Sequence, residues 1–367
     1  MCTLKRYFMG SSNALQGVPK LGIFSNSEPR FEWNRIEANA ATPEHSIWFP
    51  RTESDLDKIG HTLQNPGENF NKEHPGYKDD LYKQRRNLIA ERTLLYKMGT
   101  PMEPVHYTEE EQKLWGYIYE KVRQLHPKHG CKEFNHAISS LEALGLFSSR
   151  RIPQLEDLNQ WLKRERNFRI KPVNGILTPR EFLNCLAFRT FCSTQYMRHP
   201  SKPDYTPEPD IVHESLGHAA FLANAQICDL SQALGILSLG ATEAQIQTLS
   251  SIYGFTIEFG LCREGSDIKF YGAGQAGSFG EILQFLKIAK TSPDALLRLD
   301  LANSPIQKTF NDQDVQQFYY LADSFGSFVH QIEHLVKTFP KNVDLIYDRS
   351  SNSFTSRTDL KRQDARE

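Results

Sequence analysis

The 367-residue sequence contains no run approaching 18 consecutive apolar residues, so no transmembrane helix is expected. It lacks an excess of charge of either sign: 43 Lys and Arg stand against 44 Asp and Glu. That balance excludes a generally basic nucleic-acid coat and an acidic tail protein. Six cysteines occur, at 2, 131, 185, 192, 228 and 262, without a Cys-x-x-Cys pair, zinc-ribbon spacing or a disulfide framework. Free thiols in a reducing compartment are the simple expectation, and with it a cytoplasmic location. The opening Met1-Cys-Thr-Leu-Lys-Arg6 is apolar only in short pieces and does not read as a signal peptide. No internal repeat or low-complexity run is present.

What the chain does have is apolar and aromatic mass: 39% hydrophobic residues, including 23 Phe and 14 Tyr. This is too much for a disordered chain and enough for a real core. Residues 1–45 lack a period and read as an irregular arm. The globular pattern starts near Ser46-Ile-Trp-Phe-Pro50. A short helix is expected from about Thr52, with Thr52 or Ser54 as cap. Amphipathic helices are expected over 79–98 and from Thr108, where Thr108 and Glu111 form a capping box. Further helical patterns cover about 132–146, 155–165, 180–187, 210–224, 228–240, 242–260, 279–289 and 314–337. Strand signals are short: 168–170, 267–271, and a terminal pair at 343–347 and 353–356 that reads as a hairpin. The last residues, 361–367, are mostly charged and expected to fray. The expected fold is mainly α, one domain with a few short strands and a C-terminal hairpin, divided as arm 1–45, catalytic unit 46–340, and hairpin with tail 341–367.

Chemistry concentrates in Thr206-Pro-Glu-Pro-Asp-Ile-Val-His213-Glu214-Ser-Leu-Gly-His218. Two imidazoles flanked by Ile211, Val212 and Leu216 are expected to be buried, and buried polar groups need partners. Zinc peptidases place two histidines at i and i+4. Here the interval is i, i+5, which on an ideal α-helix leaves the rings about 140° apart around the axis. They converge on one ion only if the turn is irregular, and Gly217 makes irregularity affordable. A third ligand should be a carboxylate on another element. Glu258, in an apolar run, is the best candidate. Two neutral imidazoles and one carboxylate with open positions describe the facial triad of non-haem Fe(II) oxygenases, while a zinc hydrolase stays open as the alternative.

With these residues in view the chain resembles the tetrahydropterin-dependent aromatic amino acid hydroxylases over about residues 46–350. The resemblance rests on Trp48-Phe-Pro-Arg51, His74-Pro-Gly-Tyr-Lys78, Ile152-Pro-Gln-Leu-Glu-Asp157, Thr194-Gln-Tyr-Met-Arg-His199 and Thr206-Pro-Glu-Pro-Asp210. To these are added the His213 and His218 pair, Phe255-Thr-Ile-Glu-Phe-Gly-Leu-Cys262 and Tyr271-Gly-Ala-Gly274. It implies Fe(II) held by His213, His218 and Glu258, with tetrahydrobiopterin or a related tetrahydropterin as co-substrate. Arg198 matches a clamp for the substrate carboxylate, and Asp210 the group that holds that arginine; a guanidinium offers a carboxylate a bidentate fork. Thr206 and Ser278 match further substrate contacts, and Pro209 the wall beside the substrate ring. Phe182 matches the aromatic stacked on the pterin, with Val173, Gly175 and Leu177 nearby. Glu214 matches a carboxylate near pterin and iron, and Tyr107 a mobile-loop tyrosine over the site. The implied reaction shares one O₂ between the pterin and the ring of an aromatic amino acid.

Several positions depart from the family pattern. Gly254 stands where phenylalanine and tyrosine hydroxylases have Trp, which implies a reshaped pocket. Gln275-Ala-Gly277-Ser278 replaces Leu-Leu-Ser-Ser, Ala219-Ala-Phe221 replaces Val-Pro-Leu, Cys192 replaces His or Gln, and Ser250 replaces an alanine near the pterin. Aligned on Phe318-Tyr-Tyr320, Asp312 falls where tyrosine hydroxylases carry a specificity aspartate. The expected substrates are therefore phenylalanine, tyrosine or both, with tryptophan 5-hydroxylation, or a degenerate member with a different aromatic substrate or a binding role, as alternatives. Only about 45 residues precede the matching part and no a/d heptad follows the hairpin. The expectation is no regulatory domain, no tetramerisation helix, and a monomer or dimer without nucleic-acid or membrane partners.

Overall fold

A computed structural model describes residues 36–37, 47–60, 70, 72–303, 306 and 314–356. The expected irregular arm, apart from residues 36–37, lies outside the described residues, as do the charged tail and Asp312. The fold is mainly helical with a few short strands. A 3₁₀ turn, Glu53–Lys58, opens the described globule, and Thr52 and Asp55 form its capping box. Helix α1 (Asp80–Glu91) ends sooner than its periodicity suggests, and 92–95 continue as a 3₁₀ turn. Helix α2 (Glu109–His129) starts at the Thr108–Glu111 capping box read from the sequence. Helices α3 (Lys132–Ala143) and α4 (Leu155–Arg166) follow. Strand β1 (Arg169–Pro172), helix α5 (Pro179–Ala187) and strand β2 (Thr190–Ser193) make a parallel pair with a helical connection.

Helices α6 (Ala225–Ser238) and α7 (Glu243–Tyr253) carry the centre of the core. Strands β3 (Leu261–Glu264) and β4 (Asp267–Phe270) form a hairpin. The short α8 (Ala273–Ala276) and then α9 (Phe279–Thr291) follow, with β5 (Leu296–Arg298) after them. The next segment corrects the sequence reading. The stretch from 314, expected to be helical to 337, instead holds strand β6 (Tyr319–Ala322) before helix α10 (Phe325–Thr338). β6 is an inner strand of the sheet ordered β4-β3-β6-β5 and is buried at all four positions. A strand covered on both faces has no alternation, so its apolar run is indistinguishable from a buried helix by period. The terminal hairpin, β7 (Leu345–Asp348) with β8 (Ser353–Ser356), packs Phe354 edge-on against Phe188, ring centroids 5.1 Å apart. Among the described residues no helix is long and apolar enough to cross a membrane.

One buried carboxylate binds α9 to β6. Glu281, fully buried in the first turn of α9, accepts the Tyr319 hydroxyl at 2.6 Å and the Gln316 backbone N–H at 3.2 Å. Burial raises its carboxyl to about 7 against the pull of these donors. A raised carboxyl binds its proton more tightly in the folded than in the unfolded chain. Its contribution to stability is therefore complete below pH 4.5 and is lost as pH rises through 7. Glu281→Gln, read by denaturant unfolding, should gain about 3 kcal/mol relative to the parent chain between pH 4.5 and 8.

Candidate active site

His213 and His218 share one segment, His213–Ala219, which is wound as a π-helix. Hydrogen bonding from i to i+5 widens the turn, so the fifth residue lies over the first. This removes the obstacle that α-helical geometry set, and the two Nε2 atoms come within 3.0 Å. Glu258 closes a second π segment, Gly254–Glu258. Its Oε1 lies 2.9 Å from His218 Nε2 and its Oε2 3.4 Å from His213 Nε2. All three donor atoms lie within 4.8 Å of one another.

Both π segments have the same local cause in the sequence. The Ser215 hydroxyl donates to the Ile211 carbonyl, and the Thr256 hydroxyl to the Ile252 carbonyl, each at 2.5 Å. A side chain that takes the i−4 carbonyl competes with the α-helical bond and favours a local irregularity. Gly217 acts differently from expectation. A Cβ there would stand 2.6 Å from the Ala273 carbonyl oxygen, so this glycine lets α8 approach the π turn rather than supplying conformational freedom. Gly277 does likewise, since its Cβ would meet His213 Cα at 2.7 Å.

Asp210 joins the ligand turn to the arginine. Its Oδ2 accepts the Arg198 backbone N–H at 2.8 Å and Nε at 2.9 Å. Its Oδ1 accepts Arg198 Nη2 at 2.8 Å and the His213 backbone N–H at 3.1 Å. Nη2 also donates to the Gly277 carbonyl at 2.9 Å, and Nη1 to the Pro203 carbonyl at 3.2 Å. The two-pronged edge of the guanidinium is thus used by Asp210. Among the described residues one Nη1 N–H is left for a ligand, where the sequence suggested a full fork.

These groups surround a cavity of about 250 Å³. Its wall includes His213, His218, Glu258, Glu214 and Arg198, with Thr206, Pro209, Ser278 and Gly254. Val173, Gly175 and Leu177 after β1, Phe182 on α5 and Ser250 on α7 also line it. Asp210 stands behind Arg198. Tyr107 does not line the cavity: its hydroxyl donates to the Gln195 carbonyl at 2.8 Å, and its ring packs beside Ile89, Val105 and Tyr196. The sequence reading missed Pro179, Phe191, Tyr205, Pro207, Tyr253 and Phe259 in the wall. Phe191 had a signal, since it sits one residue before Cys192 in the strand. The Phe191 ring lies 4.5 Å from that of His218, and the Tyr253 ring 5.1 Å edge-on to Phe182.

Burial lowers the His213 imidazole to about 4, more than Glu258 raises it, so the ring is neutral at physiological pH. Burial acts to raise the Glu258 carboxyl, but His218 and His213 outweigh it and leave it below its ordinary value. The Glu214 carboxyl goes the other way. Burial pushes it well above its usual range despite the Thr194 backbone N–H at 3.0 Å from its Oε1. A neutral His213 imidazole beside an ionised carboxylate is the kind of protonation state a divalent cation requires of its ligands.

A sequence model of the biopterin-dependent aromatic amino acid hydroxylases matches residues 47–364. The phenylalanine-4-hydroxylase of Homo sapiens is 42% identical over 301 residues, 82% of this chain and 66% of that protein. The tyrosine 3-monooxygenase of Bos taurus is 40% identical over 290 residues, 79% of this chain and 58% of that protein. The chain thus spans just under two thirds of these curated relatives' length, or less. The phenylalanine hydroxylase of Chromobacterium violaceum, solved with iron(III) and oxidised 7,8-dihydrobiopterin bound, superposes with a TM-score of 0.57 at 26% identity. That match covers 70% of this chain and 93% of the other.

Two predictions follow from the packing. Asp210→Ala should cost about 3–5 kcal/mol in denaturant unfolding, because it strands a buried guanidinium. Gly277→Ser should cost about 1–3 kcal/mol, because the new Cβ must displace the backbone of His213. A melting curve unchanged from the parent would contradict either.

Proposed function

The chain belongs to the biopterin-dependent aromatic amino acid hydroxylases, and on that premise we propose that it hydroxylates the ring of phenylalanine, tyrosine or both, using Fe(II), a tetrahydropterin and O₂. The observation that carries this reading is the convergence of His213, His218 and Glu258 on one wall of the cavity that Arg198 and Phe182 also line. The donor set fits iron: two imidazole nitrogens and one carboxylate, on the cavity side, with room for further ligands. When bound, iron and the reduced pterin supply the activation of O₂.

The chain's own residues bind and orient. Arg198, locked by Asp210, presents its remaining Nη1 N–H to the substrate carboxylate, and Thr206 and Ser278 supply hydroxyls nearby. Pro209 walls the ring, and Gly254 leaves space where relatives carry an indole. Phe182 offers its face or edge to the pterin beside Val173, Gly175, Leu177 and Ser250. Glu214 accepts from Thr194 through Oε1, so Oε2 is the atom left to donate a hydrogen bond to an acceptor on the cofactor. Its raised carboxyl keeps a proton there without adding a second negative charge beside Glu258. Residues 46–340 form the catalytic unit in this account, and Asp312 tunes the choice between phenylalanine and tyrosine.

Product analysis with Fe(II), tetrahydrobiopterin and O₂ against phenylalanine, tyrosine and tryptophan in parallel tests the reading. Tyrosine from phenylalanine, or DOPA from tyrosine, is expected, with no product when Zn(II) replaces Fe(II). His213→Ala should lower iron content and abolish turnover. Absence of any pterin-dependent oxygen uptake by the iron-loaded chain would overturn the reading, and Asp312→Val with an unchanged tyrosine/phenylalanine preference would remove Asp312 from it.

A further inference from the structure

Helix α8 is pressed against both of the turns that carry the clustered side chains. On one side stand the close approaches at Gly217 and Gly277 described above. On the other, a Cβ on Gly272, at the N-cap of α8, would collide with the Glu258 carbonyl oxygen, and one on Gly274 would stand 3.0 Å from it. Contacts this tight leave no slack, so a displacement of α8 is passed on to His213 and to Glu258. Yet α8 has only four residues, Ala273–Ala276, too few to hold its place by its own hydrogen bonds.

The carbonyls at its exit are taken by neighbours. Ala273 accepts from the Gly277 N–H at 3.0 Å and Gln275 from the Ser278 N–H at 3.1 Å, while Gly277 accepts from Arg198 Nη2. The Ala276 carbonyl lies 2.9 Å from Nε2 of His126, a residue of α2 that is 150 positions away in the chain. The His126 ring is fully buried, edge-on to Phe134 and Phe270 with centroids 5.0 and 5.6 Å away. A carbonyl only accepts, so Nε2 carries the hydrogen. Nδ1 faces Arg123 Nη1 at 3.5 Å and takes the acceptor role. Arg123 is itself held by Glu142, through Nε at 2.7 Å and Nη2 at 2.8 Å. Burial lowers the His126 imidazole to about 3, so the ring is neutral and its tautomer is set from both sides. His126 does not line the cavity.

We propose that His126 is a positioning residue for the metal-ligand cluster: its Nε2–H, by holding the Ala276 carbonyl, seats α8 against the two π segments that carry His213, His218 and Glu258. The inference rests on the metal reading given above and adds a residue that touches neither metal nor substrate.

Three variants separate the N–H from the ring. His126→Phe keeps an aromatic ring between Phe134 and Phe270 and removes the donor. His126→Gln gives up the ring and returns an amide N–H at the reach of Nε2. His126→Asn gives up the same ring, and its amide stops one bond short. Co(II) is titrated into the metal-free full chain and followed by calorimetry, with His213→Ala identifying the binding step that belongs to the cluster. Co(II) affinity at that step should fall about tenfold in His126→Phe and His126→Asn and stay within about threefold of the parent in His126→Gln. Thermal melting provides the control. The Gln and Asn variants should melt within a few degrees of each other and still differ in Co(II) affinity, which a role in packing alone would not produce. Should His126→Phe fail to fold, the Gln and Asn pair decides by the same comparison. Affinity that follows melting temperature across the variants, or Gln and Asn binding Co(II) equally, would overturn the proposal. A parent chain that binds Co(II) with all variants equal overturns this inference alone; a parent chain without the His213-dependent step overturns the metal reading and this inference with it.

Discussion

The site depends on one buried carboxylate. Asp210 receives three N–H groups from Arg198 and one from the backbone of His213. It neutralises a guanidinium that is almost wholly removed from water, and it caps the turn that begins at His213. A charge that deep is tolerable only with a partner held in good geometry. The same geometry sets the distance between Arg198 and the cluster of His213, His218 and Glu258, so both sides of the cavity share a single joint.

Around that joint the backbone is irregular at both segments that carry the clustered histidines and Glu258. Two π segments, each accompanied by a hydroxyl that takes an i−4 carbonyl, turn His213, His218 and Glu258 toward one point. Wide turns leave little room beside them, and α8 fills that room through Gly217 and Gly277, which touch where side chains would collide. Gly277 thus has a packing consequence. It brings the carbonyl that accepts Arg198 Nη2 directly against the ligand turn.

The cavity wall is held from outside by the rest of the fold. Glu281 sews the approach to β6 onto the helix that Ser278 caps, so a residue of the cavity wall is fixed through a buried carboxyl. The C-terminal hairpin joins the cluster that contains Val173, Leu177 and Cys192 through Leu345 and Phe354. The strand bearing Cys192 and the helix bearing Phe182 form a single unit with the hairpin behind them.

The sequence alone determined the helices with strong period and caps, such as α2 behind Thr108, because capping and apolar periodicity are local, and it picked out His213, His218 and Glu258 as candidates that the structure brings together. It also determined that two histidines five apart needed an irregular turn. Tertiary structure decided that this turn is a π-helix, that Glu258 closes the set, that Asp210 already occupies the fork of Arg198, and that Tyr107 faces Gln195 instead of the cavity. It decided too that 319–322 is an inner strand. These outcomes turn on which groups from distant segments reach the same few ångströms, and burial on both faces erases the alternation by which a strand announces itself along the chain.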